Sequence, residues 1–253
     1  MSIVAVIPAR YESSRFPGKP LAKATGKYLI QHVYEGVRSC RQIERVIIAT
    51  DDERIKRAAG EFSAECVMTS PEHASGTDRI AEVAAGLSAE IIINVQGDEP
   101  EVEPTALEKL IGRLNAEPRT KMATLARPFE ENEDPGNPNL VKVVLDDKGY
   151  ALYFSRSVIP HGRDCPNGVA ETQRYLLHLG VYGYRRDFLL EFAKMPVSEL
   201  EELEHLEQLR AVQAGVRIAV NVVSYLGVGI DTPQEYELWV HSKERQPAKK
   251  ENE

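Results

Sequence analysis

The sequence predicts an α/β protein with a mostly parallel, doubly wound sheet. In the first half, short apolar runs alternate with amphipathic segments, the rhythm of repeated βαβ units. The first of these runs, Ile3-Val-Ala-Val-Ile7, is rich in β-branched residues, as strands buried on both faces are. At 253 residues and 42% hydrophobic, the chain can build a packed core without help.

Taken in order, the pattern predicts strand 3–7 stopped by Pro8, a helix near 29–39, strand 45–49 and a helix near 53–60. Strand 65–68, a helix near 77–87, strand 91–95, a helix near 104–116 and strand 122–127 follow. A polar stretch at 130–139 breaks the rhythm. Next comes a hairpin, Val141–Leu145 and Tyr150–Phe154 about a turn at Asp146-Asp-Lys-Gly149. With the loop at 157–176 it reads as an excursion over 130–185, a lid or a dimer contact, within one domain covering 1–253. Helices near 186–193 and 198–214, strand 218–224 and helix 233–242 complete the order, and the last ten residues are nearly all polar.

Chemistry gathers where strands end. The loop Pro8 to Leu21 sets Arg10, Arg15 and Lys19 among Pro8, Pro17, Gly18 and Pro20, straight after the first strand. Ligands of open α/β sheets lie beyond the carboxyl ends of strands, and Arg and Lys suit phosphate oxygens. The stiff backbone lowers the ordering cost of binding. Lys19 is followed by Pro20, so no Walker motif is present, and no G-x-G-x-x-G opens the first helix.

Strand 91–95 leads into Gln96-Gly-Asp-Glu-Pro100, delivering Asp98 and Glu99 to the same edge. A hard cation with substrate phosphates suits such carboxylates, while a turn before an acid-favouring helix start is the plainer account. Gly229-Ile-Asp-Thr-Pro233 presents Asp231, either as a second ligand or as a cap for the helix opened by Pro233. His73-Ala-Ser-Gly-Thr-Asp-Arg79 reads either as an anion- or base-binding loop or as a helix start capped by Thr77.

Charge and cysteines narrow the class. Lys and Arg number 31 against 39 Asp and Glu, a net charge of −8, which disfavours a nucleic-acid binder. The 3 cysteines are scattered and fit neither a disulfide framework nor zinc. No apolar stretch approaches the ~20 residues of a membrane span and no signal-peptide pattern opens the chain, so a cytoplasmic protein is expected.

Together with Ala49-Thr-Asp-Asp52, Asn137-Pro-Asn139, Tyr153-Phe-Ser-Arg156, His178-Leu-Gly-Val-Tyr-Gly-Tyr-Arg185 and Leu206-Glu-Gln-Leu-Arg210, these motifs occur in one order along nearly the whole chain. The set closely resembles the 3-deoxy-D-manno-octulosonate cytidylyltransferases, or CMP-Kdo synthetases. The resemblance implies a three-layer α/β/α sandwich of the nucleotide-diphospho-sugar transferase type. It also implies a magnesium-dependent cytoplasmic homodimer that transfers CMP from CTP to the anomeric hydroxyl of Kdo, releasing pyrophosphate for lipopolysaccharide synthesis. Arg10, Lys19, Asp98 and Asp231 would be catalytic, with Asp98 and Asp231 holding Mg2+. Ala9, Ser14, Ser75 and Gly76 join Arg10, Lys19 and Asp98 as nucleotide contacts. Arg79, Gln96, Arg156, His178, Tyr182, Tyr184, Glu207 and Gln208 fall to the sugar.

Glu207 also has a physical argument. On a helix over 198–214 its neighbours Leu200, Leu203, Ala211 and Ala214 form an apolar stripe, so its carboxylate needs a partner. Glu207 and Gln208 together could accept from and donate to a polyol. Arg156 and Arg79 offer forks for the sugar carboxylate. Phe16 and Tyr28-Leu29 depart from the family pattern in loop packing, and 161–174 matches it poorly and receives no role. The expected reaction is in-line attack on the α-phosphorus, with positioning doing most of the work. The rivals are a cytidylyltransferase for 8-amino-Kdo or sialic acid, and a non-catalytic nucleotide sensor.

Overall fold

The computed structural model describes residues 2–13, 15–224 and 229–245. Among them one sheet collects β1 (Ile3–Ala9), β2 (Arg45–Thr50), β3 (Glu65–Met68), β4 (Ile91–Asn94), β5 (Met122–Pro128), β6 (Lys142–Leu145), β7 (Ala151–Ser155), β8 (Leu176–Arg185) and β9 (Ile218–Val222). The main path runs β3-β2-β1-β4-β8-β5-β9. Pairing is parallel except around β8, which lies antiparallel to both β4 and β5. The hairpin β6–β7 attaches through β6 to β8.

Alternation along β1 divides the core. Ile3, Ala5 and Ile7 face one layer, built from α1 (Leu29–Arg38), α2 (Glu53–Glu61) and α4 (Pro104–Ala116). Val4 and Val6 face the other, with α3 (Gly76–Ala85), α5 (Arg186–Phe192) and α7 (Gln208–Gln213). Beside α1, the final helix α8 (Pro233–Arg245) adds a satellite of Leu29, Ile230, Tyr236 and Trp239. Three layers result, and the fold is a mixed α/β sandwich with a mostly parallel sheet.

The structure departs from the sequence pattern at four places. Strand β1 does not stop at Pro8: it runs through Ala9 on β2 alone, its pairing with β4 having ended at Val6, so the missing proline N–H falls where only one neighbour remains. Strand β8 was not predicted, although Leu177, Leu179 and Val181 alternate inward. Its Gly183 is dictated by packing, since a Cβ there would stand 2.7 Å from Leu114 of α4. The predicted helix near 77–87 begins at Gly76 and is capped by Ser75, not Thr77, because Ser75 and Asp78 form a reciprocal capping box.

The fourth departure concerns 198–214, which is two helices, α6 (Glu199–Glu204) and α7. His205 sits between them in the left-handed region, at φ 51°. Its strain is offset by Arg156, whose guanidinium donates to the carbonyls of Glu204 at 2.7 Å and His205 at 3.3 Å. Glu207 therefore lies just before α7 rather than on a continuous apolar stripe, and Leu203 points to solvent.

Candidate active site

The carboxyl edge of β1 and β4 opens into a cleft of about 290 Å³, lined by Ala9, Arg10, Lys19, Gly76, Gln96 and Asp98, with Pro8, Pro20, Ala74 and Gly97 between them. Gly97 has no room for a side chain, since a Cβ would lie 2.9 Å from the Pro8 carbonyl oxygen. That close approach draws the Asp98 turn against the end of β1. Gly18, at φ 73°, turns the basic loop and donates its N–H to the Tyr11 carbonyl at 2.8 Å. The same turn aims Lys19 inward.

Lys19 is the centre of the cleft. Its Nζ donates to Asp98 Oδ2 at 2.7 Å, to the Ile230 carbonyl at 2.8 Å and to Asp231 Oδ1 at 3.3 Å. Arg15 reaches the other Asp231 oxygen at 2.9 Å. The two acids thus share one ammonium. Asp231 is not the cap of α8: Thr232 and Glu235 cap that helix reciprocally, and Glu235 also accepts the Asp231 N–H. The Ile230 N–H donates to the Asp98 carbonyl at 3.0 Å, so the two acidic turns are joined through the backbone as well.

Arg10 turns toward the 73–76 loop. Its guanidinium donates to the His73 carbonyl, and at 3.3 Å to that of Ser75. Ser75 spends its hydroxyl on the Asp78 N–H. Gly76 opens α3 on the cleft wall, where a Cβ would rest on Pro8 and Gln96. The Gln96 side chain donates to Asn94 Oδ1 at 3.1 Å. Ser14 lies outside the described residues.

A second group of predicted residues clusters on β8 and the start of α7. His178 is half-buried, 3.0 Å from Thr124 Oγ1 and edge-on to Phe154, and desolvation pushes its pKa down to about 3. Tyr182 stacks on Tyr184 with ring centres 5.8 Å apart, and burial raises both phenol pKa values. Glu207 accepts a hydrogen bond from Thr77 Oγ1, and Arg210 stands 3.7 Å away. Burial raises the Glu207 pKa above 4.5. One of its carboxylate oxygens and the amide nitrogen of Gln208 are buried without a hydrogen-bond partner. An orphaned acceptor and an orphaned donor on consecutive residues are groups that a polyol could satisfy.

Two predicted residues are held elsewhere. Arg79 is wholly buried, 2.7 Å from Asp51 and bonded to Thr69, clamping the ends of β2 and β3 to α3. Arg156 donates from its guanidinium to the carbonyls of Pro138, Glu204 and His205 and from its backbone N–H to the Glu204 carboxylate. Beneath it the buried Lys142 donates to the carbonyls of Asn137 and Arg156, at 3.1 and 2.6 Å.

Sequence reasoning missed the bond between Thr77 and Glu207 and the Ile230 carbonyl on Lys19. The Ser75-x-x-Asp78 box was the available signal for the first, since a helix capped by Ser75 leaves the Thr77 hydroxyl free. For the second no local signal existed.

The chain matches the model of the cytidylyltransferase family over residues 4–218. A 3-deoxy-manno-octulosonate cytidylyltransferase of Geobacter sulfurreducens is 49% identical over 243 residues, covering 94% of this chain and 97% of the relative. One from Syntrophotalea carbinolica is 48% identical, covering 93% and 96%. Among solved structures, CMP:2-keto-3-deoxy-manno-octonic acid synthetase complexed with CTP superposes with a TM-score of 0.90 at 42% identity, over 96% of this chain and 99% of that one. A 4-diphosphocytidyl-2C-methyl-D-erythritol synthase from Anaerococcus prevotii, 14% identical with a TM-score of 0.62, shares the fold, covering 96% of this chain and 99% of that one.

Proposed function

The chain belongs to the cytidylyltransferase family, and from that premise we propose that it transfers CMP from CTP to the anomeric hydroxyl of 3-deoxy-D-manno-octulosonate, releasing pyrophosphate. The observation that carries this reading is the pairing of Asp98 and Asp231 through Lys19, beside Arg10. It concentrates phosphate-binding cations and hard oxygen donors at one strand edge. The shared name of the relatives favours Kdo over 8-amino-Kdo or sialic acid, and a nucleotide sensor would not need the acidic pair.

Cytidylyltransfer uses a divalent metal, and the donor set fits one, Mg2+ in this reading. Asp98 and Asp231 offer carboxylate oxygens within reach of a single cation. Two carboxylates suit an ion that completes its shell with substrate phosphates. When bound, the ion would draw charge from the phosphates.

The chain's own residues do the rest. Arg10 and Lys19 bind phosphate oxygens and stabilise the departing pyrophosphate. Ala9, Ser75 and Gly76 bound the nucleoside. Gln96, His178, Tyr182, Tyr184, Glu207 and Gln208 receive the sugar, with Arg79 and Arg156 supporting the two sides. His178 is kept neutral by burial, so it acts as a hydrogen-bonding group and not as a cation. The sugar hydroxyl is aligned against the α-phosphorus by these contacts, which is where the rate enhancement originates. In the same reading the enzyme is a cytoplasmic homodimer serving lipopolysaccharide synthesis. The hairpin β6–β7, with Leu152 exposed on it, supports a subunit contact within 130–185.

A pyrophosphate-release assay with CTP, Mg2+ and Kdo tests the proposal. Release that depends on all three is expected, and no release with Kdo would overturn it.

A further inference from the structure

We propose that Lys19 is the resident counter-ion of the Asp98–Asp231 pair, and that it keeps a free divalent cation out until the triphosphate arrives. The inference rests on the reading of that pair as the metal site.

An ammonium has three donors, and all three of Lys19's are spent: on Asp98, on Asp231 and on the Ile230 carbonyl. Its side chain is 12% exposed, against 29% for Asp98 and 45% for Asp231. Without it, two like charges would face each other across a partly desolvated gap. The lysine removes that repulsion by itself.

A metal ion arriving alone meets an occupied site. It must expel the ammonium from its three acceptors and then share a confined space with that positive charge. Mg2+ also gives up its water reluctantly. Arg15, 2.9 Å from the second Asp231 oxygen, adds a further repelling charge. A metal arriving with CTP brings phosphate oxygens into the same cleft, and these give the displaced ammonium a new anionic partner. Lys19 thereby makes the affinities for metal and nucleotide interdependent. By linkage, whatever factor CTP adds to metal binding, metal adds to CTP binding.

The test measures Mn2+ binding by the loss of the free-ion paramagnetic signal, with and without CTP and with no sugar present, after correction for the Mn2+ that the same CTP holds without enzyme. Wild type is expected to bind Mn2+ weakly alone and at least tenfold more tightly with CTP. Lys19→Met should bind Mn2+ alone at least tenfold more tightly than wild type and should lose most of the enhancement by CTP. Adding Asp98→Asn to Lys19→Met should abolish the gain. Lys19→Gln, which keeps a polar end without charge, should behave like Lys19→Met, and melting curves report whether each variant is folded. The proposal is overturned if folded Lys19→Met and Lys19→Gln bind Mn2+ alone no better than wild type, or if the gain survives Asp98→Asn. Failure of the catalytic reading is distinguishable: it shows as absent pyrophosphate release by the wild type, whatever the metal affinities.

Discussion

Thr77 and Glu207, 130 positions apart, share a hydrogen bond that ties the first turn of α3 to the start of α7. One end of that bond lies next to Gly76 on the wall of the cleft proposed for the nucleotide, the other in the cluster proposed for the sugar. The Thr77 hydroxyl is available for it because Ser75, rather than Thr77, caps α3.

Glu207→Gln should raise the Michaelis constant or lower the turnover for Kdo by about tenfold or more while leaving CTP binding to the free enzyme unchanged, the pattern of a lost sugar contact. Its stability has a defined sign. Burial raises the folded pKa above 4.5, so the folded state holds the proton more strongly than the unfolded chain. Stability is therefore lost as pH rises from the unfolded value through the folded one. The Gln variant should show a flatter stability profile in that window, measured by denaturant titration. Equal losses in CTP affinity and Kdo turnover would contradict the sugar assignment.

Asp98→Asn and Asp231→Asn should each lower turnover by roughly 100-fold or more, the scale of removing a charged group from a charge-stabilising site. Melting temperatures should move little for Asp231, which is half exposed. An Asp231→Asn enzyme with near wild-type pyrophosphate release would remove it from the site.

Arg10→Ala should reduce kcat/KM for CTP by about 30-fold, equivalent to about 2 kcal/mol for a charge-assisted contact. The variant also frees the carbonyls of His73 and Ser75. Steady-state kinetics with varied CTP at saturating Kdo give the value directly, and unchanged kinetics would make Arg10 a purely structural strut.

Arg79→Leu should destabilise the fold by about 3–5 kcal/mol, because it leaves Asp51 without its buried partner. Adding Asp51→Asn should recover part of that loss. Chemical denaturation of the single and double variants measures both effects. A sugar-specific kinetic defect with unchanged stability would instead restore Arg79 to the sugar site.

The alternation of apolar runs made β1 to β4 and their helices legible one by one, but not their order, since β4 lies against β1 and not against β3. Strand β8 was harder: Gly180 and Gly183 fall within and just after its inward Leu177, Leu179 and Val181, and the reason for Gly183 emerges only when Leu110 and Leu114 of α4 lie over it. The break at His205 was hidden because Leu200, Leu203 and Leu206 keep a helical spacing through it, and the bonds that fix it come from Arg156 on a distant hairpin. For the site, residue types at strand ends were informative. The meeting of Asp98 with Asp231 was not, because it depends on the docking of the turn that precedes α8.

Because β8 alone joins β4 to β5, the sheet cannot be zipped in the order in which the ribosome makes it. After synthesis of β4, its Ile91-Ile-Ile-Asn94 edge stays open until residues 176–185 have been made and threaded into place. An apolar strand with an unpaired edge invites pairing with other chains. Production at high rates should therefore favour aggregation of nascent chains, relieved by slower synthesis at lower temperature, even where the finished enzyme is stable.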